Sequence, residues 1–254
     1  MTAAAPVVAV PRVLVWRHGR TAWNAEGRFQ GQLDPPLDEV GRGQAARAAT
    51  QLAAVLPREG TVVVSSDLQR AAATAAALAP LLGVPLRTDP RLRELDLGSW
   101  QGLTRQEVAE RHPGQYADWV AGRPVLGRGS EEPDQVARRA LAALGDLPAA
   151  QVAVLVTHGG TGLRLLESLL GLGADSRRLL GSLGNCAWSE LLQQSGRWRL
   201  VRHNQSVDLP GADGATGGPA AVGAVPGAVP VGADGRAAAD GHPDGSSTDA
   251  DAVL

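Results

Sequence analysis

The chain has 254 residues, 44% of them hydrophobic and 20% charged, with a formal net charge of −2. That length supports one sizeable core, and the near-balanced charge commits the surface to neither nucleic acid nor membrane. All 24 basic residues are arginine, which excludes Schiff-base and P-loop lysine chemistry.

Residues 1–11 lack basic residues and are interrupted by Pro6 and Pro11, so they read as a short leader and not as a signal peptide. No stretch is long and apolar enough to span a bilayer, and the expected location is the cytoplasm. Residues 12–17 form a predicted strand whose continuous apolar run (Val13-Leu14-Val15-Trp16) fits a strand buried on both faces. It runs directly into Arg17-His18-Gly19 and a polar loop that lasts to Pro36. Residues 38–56 read as an amphipathic helix, with Val40, Ala45, Ala48, Leu52 and Val55 at helical spacing and Asp38 as N-cap. Thr61-Val62-Val63-Val64-Ser65 is a second, β-branched strand. An alanine-rich helix capped by Ser66 or Asp67 follows to Leu82, where Gly83 and Pro85 stop it. Residues 84–87 are a candidate third strand.

The region 91–129 is less regular, with short helices predicted over 103–111 and 115–121. Ser130-Glu131-Glu132-Pro133 opens a longer helix to Leu147, its first turn acidic where the helix dipole favours anions. Residues 151–157 are a second buried strand, ending in Thr157-His158-Gly159-Gly160, and residues 161–170 continue as a helix. Strands over 186–192 and 197–201 flank a hairpin turn at Gln194-Ser195-Gly196. From 205 to 254 Gly, Ala, Pro and Asp dominate without apolar periodicity. Such a tail cannot bury enough surface to offset its ordering entropy, and it reads as disordered. The expected organisation is therefore a leader (1–11), one domain (12–204) and a tail (205–254). Strands alternating with crossover helices imply an α/β architecture on a parallel sheet.

In such a sheet the carboxyl ends of the strands share one edge, where ligands bind. Three strand ends deliver His18, His158 and, one turn into the next helix, Arg70; Arg17 precedes His18. Two guanidiniums, two imidazoles and the following helix N-termini suit the oxygens of a phosphoryl group. Phosphoryl transfer to a histidine needs a neutral imidazole and an acid for the departing alkoxide. Glu94 and Asp96, among apolar neighbours in Leu92-Arg93-Glu94-Leu95-Asp96-Leu97, are the candidates; the sequence does not choose between them.

These segments resemble the histidine phosphatase superfamily, in its phosphoglycerate-mutase-like branch. The resemblance is carried by Arg17-His18-Gly19 with Thr21 and Asn24, Ser65-Ser66-Asp67-Leu68-Gln69-Arg70-Ala71 with Thr74-Ala75, Leu92-Arg93-Glu94 with Gly98, Trp100 and Gly102, and Thr157-His158-Gly159-Gly160. It implies a three-layer α/β/α sandwich with a mostly parallel sheet, and a phosphomonoester hydrolase working through a phosphohistidine, with no cofactor and no metal. His18 would be the nucleophile; Arg17, Arg70 and His158 would hold the phosphoryl oxygens; Glu94 would be the proton donor, with Asp96 a neighbour. Asn24, Gln30, Gly31, Gly159 and Asn185 would line the pocket. The interval between acid and second histidine is short and lacks lysine, which favours a phosphatase over a phosphoglycerate mutase; a broad-specificity acid phosphatase is the other alternative. Retention of both nucleophile and acid argues against a non-catalytic phospho-ligand module. Within the branch, residues 95–104 and 183–191 resemble the actinobacterial glucosyl-3-phosphoglycerate phosphatases, so the implied partner is a small phosphorylated sugar or glycerate, and many members pair as homodimers. Arg20 stands where relatives commonly carry Glu or Gln, and the tail after Gln205 has no counterpart.

The remaining features have plainer readings. The single cysteine, Cys186, excludes a disulfide framework and reads as a buried thiol in a strand. Gly159-Gly160-Thr161-Gly162 lacks the third glycine of a dinucleotide loop. Trp100, Trp119, Trp188 and Trp198 read as core or interface residues, Trp16 and Trp23 as pocket wall, and His112 as a surface residue; His203 has no assigned role.

Overall fold

The computed structural model describes residues 9–173 and 179–207. Its strands are β1 (Arg12–Arg17), β2 (Thr61–Ser65), β3 (Leu86–Thr88), β4 (Val152–Thr157), β5 (Trp188–Gln194) and β6 (Arg197–Gln205). Its helices are α1 (Ala22–Ala25), α2 (Glu39–Val55), α3 (Gln69–Leu82), α4 (Arg105–Arg111), α5 (Pro113–Val120), α6 (Pro133–Gly145) and α7 (Gly159–Leu170). The strands form one six-stranded sheet in the order β3-β2-β4-β1-β5-β6. The first four run parallel; β5 is antiparallel to β1 and β6 to β5.

The continuous apolar runs of β1 and β4 follow from burial on both faces, because successive side chains of a strand point to opposite layers. Leu14, Trp16, Val154 and Val156 pack with Ala45, Ala48 and Leu52 of α2 and Ala71, Ala75 and Leu78 of α3. Val13, Val15, Ala153 and Leu155 pack on the other face with Ala140 and Leu144 of α6 and Leu165 and Leu166 of α7. The result is the expected three-layer α/β/α sandwich. A third cluster, Phe29, Leu95, Leu97, Trp100, Val108 and Val136, lies beneath α4 and α5, with Trp119 packed against it. Trp100, Trp188 and Trp198 are buried as expected.

Several boundaries move for local reasons. α3 starts at Gln69 with Leu68 as N-cap, whose side chain makes no cap bond; the Gln69 N–H donates instead to Asp34 Oδ1 at 2.8 Å, while the Asp67 carboxylate is taken up by Arg93 at 2.6 and 2.8 Å. β3 begins at Leu86, after Gly83 has closed α3 in the left-handed conformation (φ +69°). α5 starts on Pro113 at its first turn, and α6 on Pro133 with a capping box between Glu132 and Gln135. Thr104 caps α4 in the same way with Glu107. Cys186 is not in a strand: it has φ +58° in the turn before β5. His112, expected at the surface, is part-exposed at the joint of α4 and α5. The hairpin turn holds, with Ser195 and Gly196 at φ +51° and +74°.

At the amino end Val10 is fully buried and the Pro11 carbonyl accepts from Gln193 N at 2.7 Å. The tail expected beyond 205 lies, from residue 208 on, outside the described residues. Among the described residues, no helix is long and apolar enough to cross a membrane.

Candidate active site

β1 and β4 are neighbours in register, Arg17 opposite Thr157, and the His18 N–H donates to the Thr157 carbonyl at 3.0 Å. The two strands therefore release their histidines side by side, with ring centroids 5.1 Å apart. Both rings are fully buried. His18 Nδ1 lies 2.7 Å from the Gly19 carbonyl; a carbonyl only accepts, so Nδ1 carries the proton and the lone pair sits on Nε2. His18 Nε2 and both ring nitrogens of His158 meet no hydrogen-bond partner in the protein. Buried polar atoms are normally satisfied, and three orphans in one place mark a ligand site.

The electrostatics keep the nucleophile candidate neutral. Burial, then Arg70, then Arg17 hold the His18 imidazole well below its ordinary 6.5, against an opposing pull from the Gly19 hydrogen bond. His158 is held low by burial, then by Arg70, His18, Arg17 and Arg139. Desolvation and like charge act in the same direction on both rings.

Arg17 and Arg70 are fully buried and aimed by backbone carbonyls. Arg17 Nη1 donates to Leu183 O at 2.7 Å. Arg70, in the first turn of α3, donates from Nη1 to Leu33 O and from Nη2 to Gly31 O, each at 2.7 Å. Gly31 adopts φ +52°, and a Cβ there would sit 2.2 Å from Gln101 Oε1, so only glycine lets this turn present its carbonyl. Thr74 Oγ1 donates to Arg70 O at 2.7 Å and accepts from Gly19 N at 3.0 Å, fastening α3 to the histidine loop.

The choice between the two carboxylates is made by packing. Glu94 is fully buried and caps the amino end of α7, accepting from Gly160 N on Oε2 at 3.0 Å and from Thr161 N on Oε1 at 2.9 Å. Oε1 also accepts from Leu95 N at 2.8 Å, which leaves Oε2 the less occupied oxygen. Since α7 begins directly after His158, the carboxyl is held beside the second histidine. Asp96 instead accepts from Gly98 N at 2.8 Å, closing its own turn, and does not join the cluster.

The pocket-lining candidates lie around the loop after His18. Asn24 Oδ1 accepts from Thr21 N at 3.0 Å, and Gln30 Oε1 accepts from Thr21 Oγ1 at 3.1 Å; both residues are buried. Asn185 Nδ2 bridges the His18 carbonyl and Asn24 Oδ1, each at 3.3 Å. Gly159 opens α7. Arg20 ion-pairs through Nε with Asp38 Oδ2 at 2.8 Å, while Asp38 Oδ1 caps Gly41 N at 2.7 Å. Trp16 is not pocket wall: it is fully buried in the core and donates from Nε1 to Cys186 O at 3.0 Å. Trp23 is half-buried near Gly102. His203 accepts from Ser189 Oγ and donates to Gly181 O, a structural bridge. Burial raises the Cys186 thiol to about 12, so it stays protonated.

Sequence reasoning missed Gly41 and gave Thr74 no separate task. A glycine inside a helix and a threonine four residues after Arg70 on an alanine-rich helix were the available signals.

Fold and site together define an α/β protein with a neutral histidine in a buried anion cradle. The sequence profile of the histidine phosphatase superfamily (branch 1) matches residues 13–206, and the chain belongs to that superfamily. It is similar to the glucosyl-3-phosphoglycerate phosphatase of Mycolicibacterium vanbaalenii, 38% identical over 221 residues that cover 79% of this chain and 97% of that protein. It is also similar to a probable phosphoglycerate mutase of Cronobacter sakazakii, 37% identical over 191 residues, covering 74% and 87% of the two chains. Among solved structures, a mycobacterial glucosyl-3-phosphoglycerate phosphatase in complex with VO3 superposes with a TM-score of 0.70 at 39% identity, covering 77% of this chain and all of that one.

Proposed function

We propose that this phosphatase hydrolyses glucosyl-3-phosphoglycerate through a phosphohistidine on His18. The observation that carries the mechanism is the buried, unpartnered Nε2 of a neutral His18 beside two arginines and a second histidine. Nε2 attacks phosphorus in line as the ester P–O bond breaks, and Glu94, through Oε2, gives its proton to the leaving alkoxide. Arg17, Arg70 and His158 hold the phosphoryl oxygens and balance the charge that accumulates on them. Glu94, now a carboxylate, then takes a proton from water as that water attacks the N–P bond and releases orthophosphate. Asn24, Gln30, Gly31, Gly159 and Asn185 shape the pocket. The substrate rests on the similarity to glucosyl-3-phosphoglycerate phosphatases over nearly their whole length. A phosphorylated metabolite as substrate and a lone unpaired cysteine fit work in the cytoplasm.

Two measurements test this reading. Brief incubation with labelled substrate and acid- and base-stability analysis are expected to reveal acid-labile, base-stable phosphate on the parent and none on His18→Ala, whose turnover falls by about a thousand-fold or more. A comparison of glucosyl-3-phosphoglycerate with 3-phosphoglycerate and 4-nitrophenyl phosphate is expected to place the first ahead in kcat/KM. Equal rates on the three overturn the substrate; transfer of phosphate back to glycerate, in place of release to water, makes the protein a mutase.

A further inference from the structure

We infer that Arg139 of α6 is a positioning residue for the Glu94 carboxyl, organising the backbone from which that side chain projects. The inference rests on the reading of Glu94 as proton donor and extends it to a residue outside the site. A guanidinium has five N–H donors in a fixed fork, and all five are used here. Nε and Nη2 form a bidentate pair with Glu131 Oε1 and Oε2 at 2.7 and 2.9 Å. Nη1 donates to the carbonyls of Arg91 and Arg93 at 2.6 Å each, and Nη2 donates to the carbonyl of Glu94 at 3.0 Å.

Three carbonyls from four consecutive residues thus converge on one cation. Neither helix nor strand produces such an arrangement, since both send backbone carbonyls into regular ladders. Without the cation, the negative ends of three dipoles would face one another inside the protein, and the segment would relax outward. Other contacts hold the same stretch to the strand ends: Thr157 Oγ1 donates to Leu92 O at 2.8 Å, Thr161 Oγ1 to Arg93 O at 2.7 Å, and Gln32 Nε2 to Glu94 O at 3.2 Å. Arg139 therefore fixes the root of Glu94, while the amino end of α7 fixes its tip. Helical spacing puts Arg139 on the face that carries the core residues Val136, Ala140 and Ala143, and its side chain and that of Glu131 are only 18% and 19% exposed.

A general acid matters where the leaving group is a poor one. An alkoxide must be protonated as it departs, whereas 4-nitrophenolate leaves unassisted. A residue that only stabilises the fold would lower both activities alike. kcat/KM reports the transfer to the histidine and excludes the later hydrolysis, so it is the quantity to compare between glucosyl-3-phosphoglycerate and 4-nitrophenyl phosphate. Arg139→Met and Arg139→Lys are both expected to lose on the order of 10- to 100-fold on the alkyl ester and to stay within about three-fold on the aryl ester. Lysine does not rescue, because an ammonium cannot span three carbonyls and a carboxylate. Glu131→Gln, which leaves Arg139 in place and weakens its fork, shows the same pattern to a smaller degree and serves if the Arg139 variants fail to fold. Glu94→Gln measured alongside separates the two levels of the argument. Selective loss in Glu94→Gln but equal loss, or none, in the Arg139 and Glu131 variants overturns the positioning role. Equal loss on both substrates in Glu94→Gln overturns the reading of Glu94 as donor, and the inference falls with it.

Discussion

At the scale of single residues, the site depends on keeping an imidazole uncharged next to two guanidiniums. Burial and the neighbouring cations both disfavour His18 protonation, and the Gly19 carbonyl selects the tautomer with a free Nε2. The sign of the pH dependence follows. A group whose protonation is disfavoured stays neutral to lower pH than its reference, so the nucleophile is lost only below the ordinary 6.5. The acid limb of kcat/KM, corrected for ionisation of the substrate phosphate, is expected below that value. In Arg70→Gln the limb moves upward towards it, because the largest charge acting on the ring is gone. A parent limb at or above 6.5, or an unmoved one in the variant, contradicts this account of the site.

Elements matter here through how closely their backbones meet. The amino end of α2 lies directly on the histidine loop: a Cβ on Gly41 would come within 2.0 Å of Arg20 O, and one on Gly19 within 2.5 Å of Gly41 O. Arg20 ties the same two pieces together through Asp38, and the Asp38 N–H donates to Arg20 O at 3.1 Å. Arg20 thus has a structural task, orienting the loop that follows His18. Gly41→Ala isolates this contact. Alanine is the better helix former by about 1 kcal/mol, yet the clash is backbone on backbone and is expected to cost about 1–3 kcal/mol net. Denaturant midpoints would measure the loss. A stabilised variant with full activity would show that the loop can shift without consequence.

For the whole molecule, the sheet order makes the site. Placing β4 between β2 and β1 brings the ends of three strands, and the starts of the helices that follow β2 and β4, to one edge. It also concentrates Arg17, Arg70 and two histidines in a buried space. Like charges so placed repel, and an anion that neutralises them stabilises the folded state by mass action. Orthophosphate at about 100 times its dissociation constant contributes ~2.7 kcal/mol. In a protein of this size that raises Tm by about 2–4 °C per kcal/mol. Thermal unfolding with and without phosphate checks it, and Arg70→Gln is expected to lose most of the shift. An equal shift in parent and variant would mean that the anion binds elsewhere.

The strands at 12–17, 61–65 and 151–157, the helix at 38–56 and the glycine stop at Gly83 were legible because each is decided by local pattern: apolar runs, helical spacing and one left-handed residue. His18, His158, Arg17 and Arg70 were legible for a related reason, since a parallel sheet collects strand ends whatever its details. Residues whose environment comes from distant segments were not legible in this way. Residue type alone left Glu94 and Asp96 equivalent, the family resemblance pointed to Glu94, and the amino end of α7, some 65 positions away in the chain, is what holds the Glu94 carboxylate. Trp16, Cys186 and the cap of α3 were misread because a core neighbour, a turn and the distant acceptor Asp34 overrode local preference. Arg139 carried no local signal that would single it out from the other arginines of the chain. By itself, then, the sequence determined the layers, the edge that carries the chemistry and the residue types available there. Only the tertiary structure showed how the Glu94 carboxyl is held, which tautomer the Gly19 carbonyl selects in His18, and that Arg139 gathers the carbonyls around Glu94. These depend on contacts a few ångströms long between residues far apart in the chain, and no local pattern encodes them.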